Sequence, residues 1–231
     1  MWSLLPKIHH EIVGLCITPT QLIVSWIQPG TRTQPYRLQA YKENKLPAGV
    51  LHHNRLFNPT YIEHHIRSFI QTYALEHAYV VCALKGQGVQ ENFISRAPSD
   101  PGQVLQDTVF LHEQYLYTHE DMYKVFYQGG IARALLTQYV LLALRAQINL
   151  VRIVPFFSSY LALYQRMHQP VFRRAQLACD MQKHHNQLSA MVTPEHIKRL
   201  LAVPAGIDSN QHEGLSLSLG LFLLGAEHAA H

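Results

Sequence analysis

Residues 12–26 read Ile12-Val13-Gly14-Leu15-Cys16-Ile17-Thr18-Pro19-Thr20-Gln21-Leu22-Ile23-Val24-Ser25-Trp26, two β-branched apolar runs around a short polar break. A break that short between two such runs predicts a β-hairpin. A third run, Tyr36 to Tyr41, follows Pro29-Gly30 and predicts a third strand beside them.

Further along, Asn58-Pro59 is a helix start, with Asn as the cap and Pro at the first helical position. Ile62, Ile66, Phe69, Ile70 and Tyr73 recur at helical spacing, predicting one apolar face through about Glu76. Ala78 to Leu84 reads as a buried strand ending at Lys85-Gly86-Gln87-Gly88, with Phe93-Ile94-Ser95-Arg96 leading away. Ala97 to Gln103 is a Pro/Gly/Ser linker. Beyond it, Val104 to Tyr117 is expected as a helix and Met122 to Gln128 as a strand. A helix over Ala132 to Gln147, a short strand over Leu150 to Pro155 and a helix over Phe156 to Met167 follow. Arg173 to Gln182 and Gln187 to Val192 suggest a second hairpin. Thr193-Pro194-Glu195 opens a helix to Val203, with Thr193 as its cap, and Glu213 to Leu221 forms the last helix. The expected class is α/β with mixed sheets.

Composition narrows the functions available. At 231 residues and 48% hydrophobic content the chain can bury a substantial core. No run approaches the roughly 18 apolar residues of a membrane span. Met1 to Ile8 is too short and too interrupted by Pro6 and Lys7 for a signal peptide, so a cytosolic location is expected. The charge of +4 comes from scattered Lys and Arg, with no stripe suited to nucleic acid. Cys16, Cys82 and Cys179 lie far apart amid apolar neighbours, as reduced and mostly buried thiols do. Of the sixteen histidines, eight stand as pairs at 9–10, 52–53, 64–65 and 184–185. Neighbouring side chains on a strand or helix diverge, so each pair makes a poor chelate and no metal is expected. His112-Glu113 and His119-Glu120-Asp121 are explained equally well by a polar face.

The opening strands resemble those of actin-fold ATPases, in which the first turn carries an Asp-x-Gly phosphate loop. Here the Asp position is Cys16 and the Gly position Thr18, followed by Pro19. A thiol is a poor ligand for magnesium, a β-branched residue obstructs close approach, and proline has no N–H to offer. In the second hairpin Asp180 matches the acid of a second loop, but Gln182 stands at its Gly position. The adenosine-binding Gly-Gly motif has no match, Gly206 standing alone. No bound cofactor and no catalysis are therefore expected.

Gly49-Val50-Leu51, the helix after Asn58, Val81 to Gly86 and Arg96 occur in an order similar to the type IV pilus assembly protein PilM family. Leu150 to Leu163 resembles the end of that family's inserted subdomain, a feature shared with HofM and competence relatives, and Glu213 to Leu221 resembles its last helix. The resemblance implies an actin-like (ribonuclease H-like) fold with a reduced second lobe. It divides the chain into a first subdomain at 1–96, an inserted subdomain at 97–168 and a truncated second lobe at 169–231. It further implies a non-catalytic scaffold of a type IV pilus, competence or type II secretion machine, at the inner face of the inner membrane. Such a scaffold would hold the cytosolic tail of an inner-membrane PilN-like partner in a groove around Leu84, Phe93 and Arg96. Ser3-Leu4-Leu5-Pro6 itself resembles such a tail. The alternatives are a cryptic ATPase, a histidine-based metal enzyme, or an interaction protein outside pili.

Overall fold

The computed structural model describes residues 11–30, 35–52, 55–96, 107–119, 123–167, 192–205, 207 and 211–229. The expected hairpin is present: β1 (Ile12–Ile17) pairs antiparallel with β2 (Gln21–Pro29), which pairs antiparallel with β3 (Tyr36–Lys45). A two-stranded ribbon, β4 (Leu51–His52) and β5 (Arg55–Leu56), leads into α1 (Pro59–Thr72). The Asn58 side chain accepts the Tyr61 N–H at 3.3 Å, as its sequence position foretells. The helix stops at Thr72, short of Glu76, because Ala74 takes φ 53° and Leu75 turns back to bond the Ile70 carbonyl.

The chain then returns through β6 (Tyr79–Leu84), parallel to β1. Later β10 (Asn149–Pro155) lies parallel to β6, and a two-residue β11 (Leu201–Ala202) lies parallel to β3. The main sheet is thus ordered β10-β6-β1-β2-β3-β11. β1 carries Val13, Leu15 and Ile17 to one face and Ile12 and Cys16 to the other, so both faces need a cover.

Each face has one. α1 and α2 (Arg133–Ala146) bury Ile62, Ile66, Phe69, Leu135, Tyr139 and Leu142 on the first. α3 (Phe156–Met167) and α5 (His212–Ala229) cover the second. α5 is longer than expected and apolar almost all round, which suits a helix lying between the sheet and α3. Its buried Ser216 and Ser218 donate to the His212 and Gly214 carbonyls at 2.6 and 2.8 Å. At Gly220 a Cβ would sit 2.0 Å from the Ser159 carbonyl oxygen, so only glycine lets α3 and α5 cross this closely. The short α4 (Pro194–Leu200) precedes β11, and Thr193 caps it reciprocally with His196.

Residues 192–229, placed by the sequence reading in a second lobe, pack on the main sheet through β11 and α5 where they are described. The second hairpin, Cys179, Asp180 and Gln182 lie outside the described residues, as do the linker at 97–103 and Gly206.

Between β6 and β10 the chain makes a separate three-stranded antiparallel sheet, ordered β7-β9-β8. β7 is Val89–Arg96, β8 is Thr108–His119 and β9 is Tyr123–Ala132. The helix expected over Val104 to Tyr117 is, over its described part, the strand β8. Its apolar residues satisfy a helical spacing, but Val109, Phe110, Tyr115 and Tyr117 are the β-branched and aromatic types that suit a pleated surface. Pairing with β9 along nearly its whole length decides the matter. β7 also belongs to this sheet, so the expected boundary after residue 96 falls between strands of one sheet.

Candidate functional site

The turn between β1 and β2 sits at the carboxyl end of β1, where Thr18, Pro19, Thr20 and Gln21 form one wall of an open cleft of about 400 Å³. The other walls come from Ile23 and Glu43, from Lys85 after β6, from Phe156 at the start of α3, and from Gln211, Glu213, Gly214 and Leu217 at the start of α5. The volume falls within the range of ordinary small-ligand sites. The chemistry of the walls is what constrains the occupant.

The turn closes on itself. The Thr18 N–H donates to the Gln21 carbonyl at 2.9 Å. The Thr18 hydroxyl oxygen accepts the N–H groups of Thr20 and Gln21 at 3.3 and 3.0 Å. Pro19 has no N–H. Every backbone donor of the turn is therefore taken internally, whereas a phosphate loop aims such donors at the ligand. The β-branched threonine that blocks close approach is the same group that consumes the donors.

Cys16 lies beneath this turn, 1% exposed, and burial raises its thiol to about 12. The ammonium of Lys85 lowers it and the carboxylate of Glu213 raises it, both less strongly than burial acts. The position is uncharged at neutral pH and carries no acid to hold a magnesium ion. Among the described residues lining the cleft the charges oppose a polyphosphate: Glu43 and Glu213 stand against one cation, Lys85. Glu43 accepts from Gln21 Nε2 at 3.0 Å and from the Tyr41 hydroxyl at 2.9 Å, and Lys85 Nζ lies 4.5 Å from the Phe156 ring centroid. Burial first, then the neighbouring carboxylates, push the Tyr41 and Tyr160 phenols far above their ordinary range, so both are neutral.

The residues expected along a groove lie on two strands, Leu84 on β6 and Phe93 and Arg96 on β7. Leu84 is fully buried at the end of β6 and belongs to the first-face core, which corrects its expected place on a binding surface. Its strand is covered on that face by α1 and α2, a tertiary fact that the strand pattern does not contain. Phe93 is half-buried on β7, its ring 5.7 Å from that of Tyr127 and 5.8 Å from that of Phe157. Arg96 ends β7 and pairs through its backbone with Lys124 on β9.

The candidate metal cluster at 112–113 also separates. His112 faces Arg152 and Tyr127, while Glu113 on the next position accepts from Gln128 at 3.1 Å. Glu120 and Asp121 lie outside the described residues. Among the histidine pairs, His64 is exposed on α1 and His65 packs edge-on against Tyr61.

A junction the sequence did not reveal seats the three-stranded sheet. Glu91 on β7 accepts the Phe157 N–H at the start of α3 at 2.7 Å and the Tyr127 hydroxyl at 2.8 Å. It thus supplies from another sheet the carboxylate that a helix start favours. Ser158 donates to the Tyr127 oxygen at 3.3 Å. On β9, a Cβ at Gly129 would lie 2.1 Å from Pro155 Cγ, so glycine is required where the small sheet meets the end of β10. The Gly129-Gly130 doublet within an otherwise β-forming run was the one sequence sign of this close approach.

No protein-family model matches the chain, and no curated protein sequence matches it. Solved structures do. The chain is similar to the PilM-PilN type IV pilus biogenesis complex, at 16% identity and a TM-score of 0.54, over 69% of this chain and 52% of that one. It also aligns with the cytoplasmic domain of EpsL, an inner-membrane component of the type II secretion system of Vibrio cholerae. That match has 11% identity and a TM-score of 0.39, over 64% of this chain and 57% of that one. A third alignment, with Thermus thermophilus RuvC, has 11% identity and a TM-score of 0.44, over 95% of this chain and 97% of that one. The chain spans about half the length of the first structure it matches. The fold is accordingly actin-like, a mixed α/β architecture. Among the described residues no helix is long and apolar enough to cross a membrane.

Proposed function

We propose that this chain is a non-catalytic scaffold of a type IV pilus, competence or type II secretion assembly, working at the cytoplasmic face of the inner membrane. It holds the short cytosolic tail of a PilN-like membrane partner. The observation that carries the non-catalytic reading is the β1–β2 turn, whose N–H donors are taken by Thr18 and its own backbone. The neutral Cys16 and the excess of carboxylates in the cleft point the same way. Support for the pilus reading comes from the fold likeness to the PilM-PilN complex. We place the tail between the first subdomain and the insertion, along β7, where Phe93 and Arg96 are the candidate contacts. Extended peptides bind such strand edges through main-chain hydrogen bonds, with alternate side chains giving specificity.

Two measurements on the purified chain test this reading. Titration calorimetry with ATP at millimolar magnesium should give no saturable heat, and saturable micromolar binding would overturn the non-catalytic assignment. A synthetic peptide of the cytosolic tail of a bitopic membrane protein encoded beside this chain should be captured, and Arg96→Glu should abolish capture without changing the melting temperature. Failure of the wild-type chain to capture that tail removes the partner assignment.

A further inference from the structure

Arg152, on β10, joins three elements. Its Nη1 donates to the Leu224 carbonyl on α5 at 3.3 Å and lies 3.8 Å from Glu227 Oε2. Its Nη2 lies 3.4 Å from Nδ1 of His112, on β8 of the three-stranded sheet. The other ring nitrogen of His112 faces Gln114 Oε1 at 3.3 Å, and the ring lies 5.8 Å from that of Tyr127 on β9.

These partners assign the protons of the imidazole. A guanidinium only donates, so Nδ1 must be the bare acceptor and Nε2 carries the hydrogen given to Gln114. A second proton would remove the acceptor and set two cations against each other in a largely buried place. Among the described residues no carboxylate bonds to the ring. From β10 it meets Arg152, from β8 Gln114, and from β9 Tyr127, whose neutral hydroxyl donates to Glu91. Glu227 of α5 reaches the guanidinium, and Glu113 is bonded to Gln128.

We propose that this contact is a pH-sensitive latch: neutral His112 holds the three-stranded sheet against β10 and α5, and protonation of His112 loosens that seat. Burial first, and Arg152 less strongly, hold the imidazole below its ordinary 6.5, with the Gln114 bond acting in the opposite sense. The undocked ring therefore binds protons more readily than the docked one. Docking is strongest above about pH 6.5, weakens as pH falls from there to the lower docked value, and levels off below it.

Hydrogen exchange of the full chain between pH 5.5 and 8, corrected for intrinsic amide rates, tests the latch above the ordinary carboxylate range. Protection of the β8 and β9 amides relative to those of β1 should fall as pH drops below about 6.5. In His112→Gln, whose side-chain carbonyl accepts from Arg152 at every pH, that relative protection should stay flat. The same pH dependence in both proteins would overturn the proposal. A second reading, independent of the first variant's folding, is the ring titration of His112 by NMR. It should lie below 6.5 in the wild type and rise in Arg152→Met; a value at or above 6.5 in the wild type overturns the latch.

Discussion

A thiol at position 16 and a hydroxyl at position 139 show how much one buried atom decides. Cys16→Asp puts a carboxyl group where burial already raises a thiol to about 12. Ionised, it would be largely desolvated; protonated, it would still want hydrogen-bond partners. We expect a loss of about 3–5 kcal/mol in urea unfolding, with no ATP binding gained, because Thr18 and Pro19 still leave the turn without donors. Gain of nucleotide binding in this variant would contradict that expectation. Tyr139 is the opposite case. Its hydroxyl is buried beside Cys82 in a small apolar cavity under α2 and has no hydrogen-bond partner among the described residues. Tyr139→Phe should therefore be neutral or stabilising by about 1 kcal/mol, read as a higher urea midpoint with an unchanged slope. A clear loss would mean that a water serves that hydroxyl.

At the scale of elements, the three-stranded sheet is seated by a few close contacts. Gly129 lies against Pro155, and Glu91 reaches the first turn of α3. Gly129→Val drives a branched side chain into the proline ring, so β9 must lift from β10. We expect this variant to lose about 2–3 kcal/mol, at the upper end of overpacking costs, and to show raised proteolysis within residues 89–132. An unchanged cleavage pattern would show that the junction yields without cost. α1 and α4 are simpler: Asn58 and Thr193 cap them as their positions in the sequence suggest.

For the whole molecule, α5 matters most, because it covers the second face of the main sheet. Without it Ile12, Val81 and Ala83, all nearly unexposed, would meet water together. A chain ending at residue 211 should be insoluble or bind a dye that reports exposed apolar surface, and a soluble, cooperatively unfolding product would contradict this placement of α5.

What could be read in the sequence was local. The β1–β2 hairpin, the caps of α1 and α4 and the span of α3 all follow from neighbours a few residues apart. Period and capping chemistry act over that range, so they leave a mark in the order of residues. The tertiary structure decided the rest. β8 became a strand through pairing with β9, although its apolar spacing also suits a helix. Leu84 went into the core because two helices close over its strand. Glu91 and Phe157, 66 positions apart, meet only after the small sheet docks, and Arg152 and His112, 40 apart, do the same. Residues that distant in sequence share no periodic relation, and only the packing of one sheet on the other brings their charges and hydrogen bonds within reach.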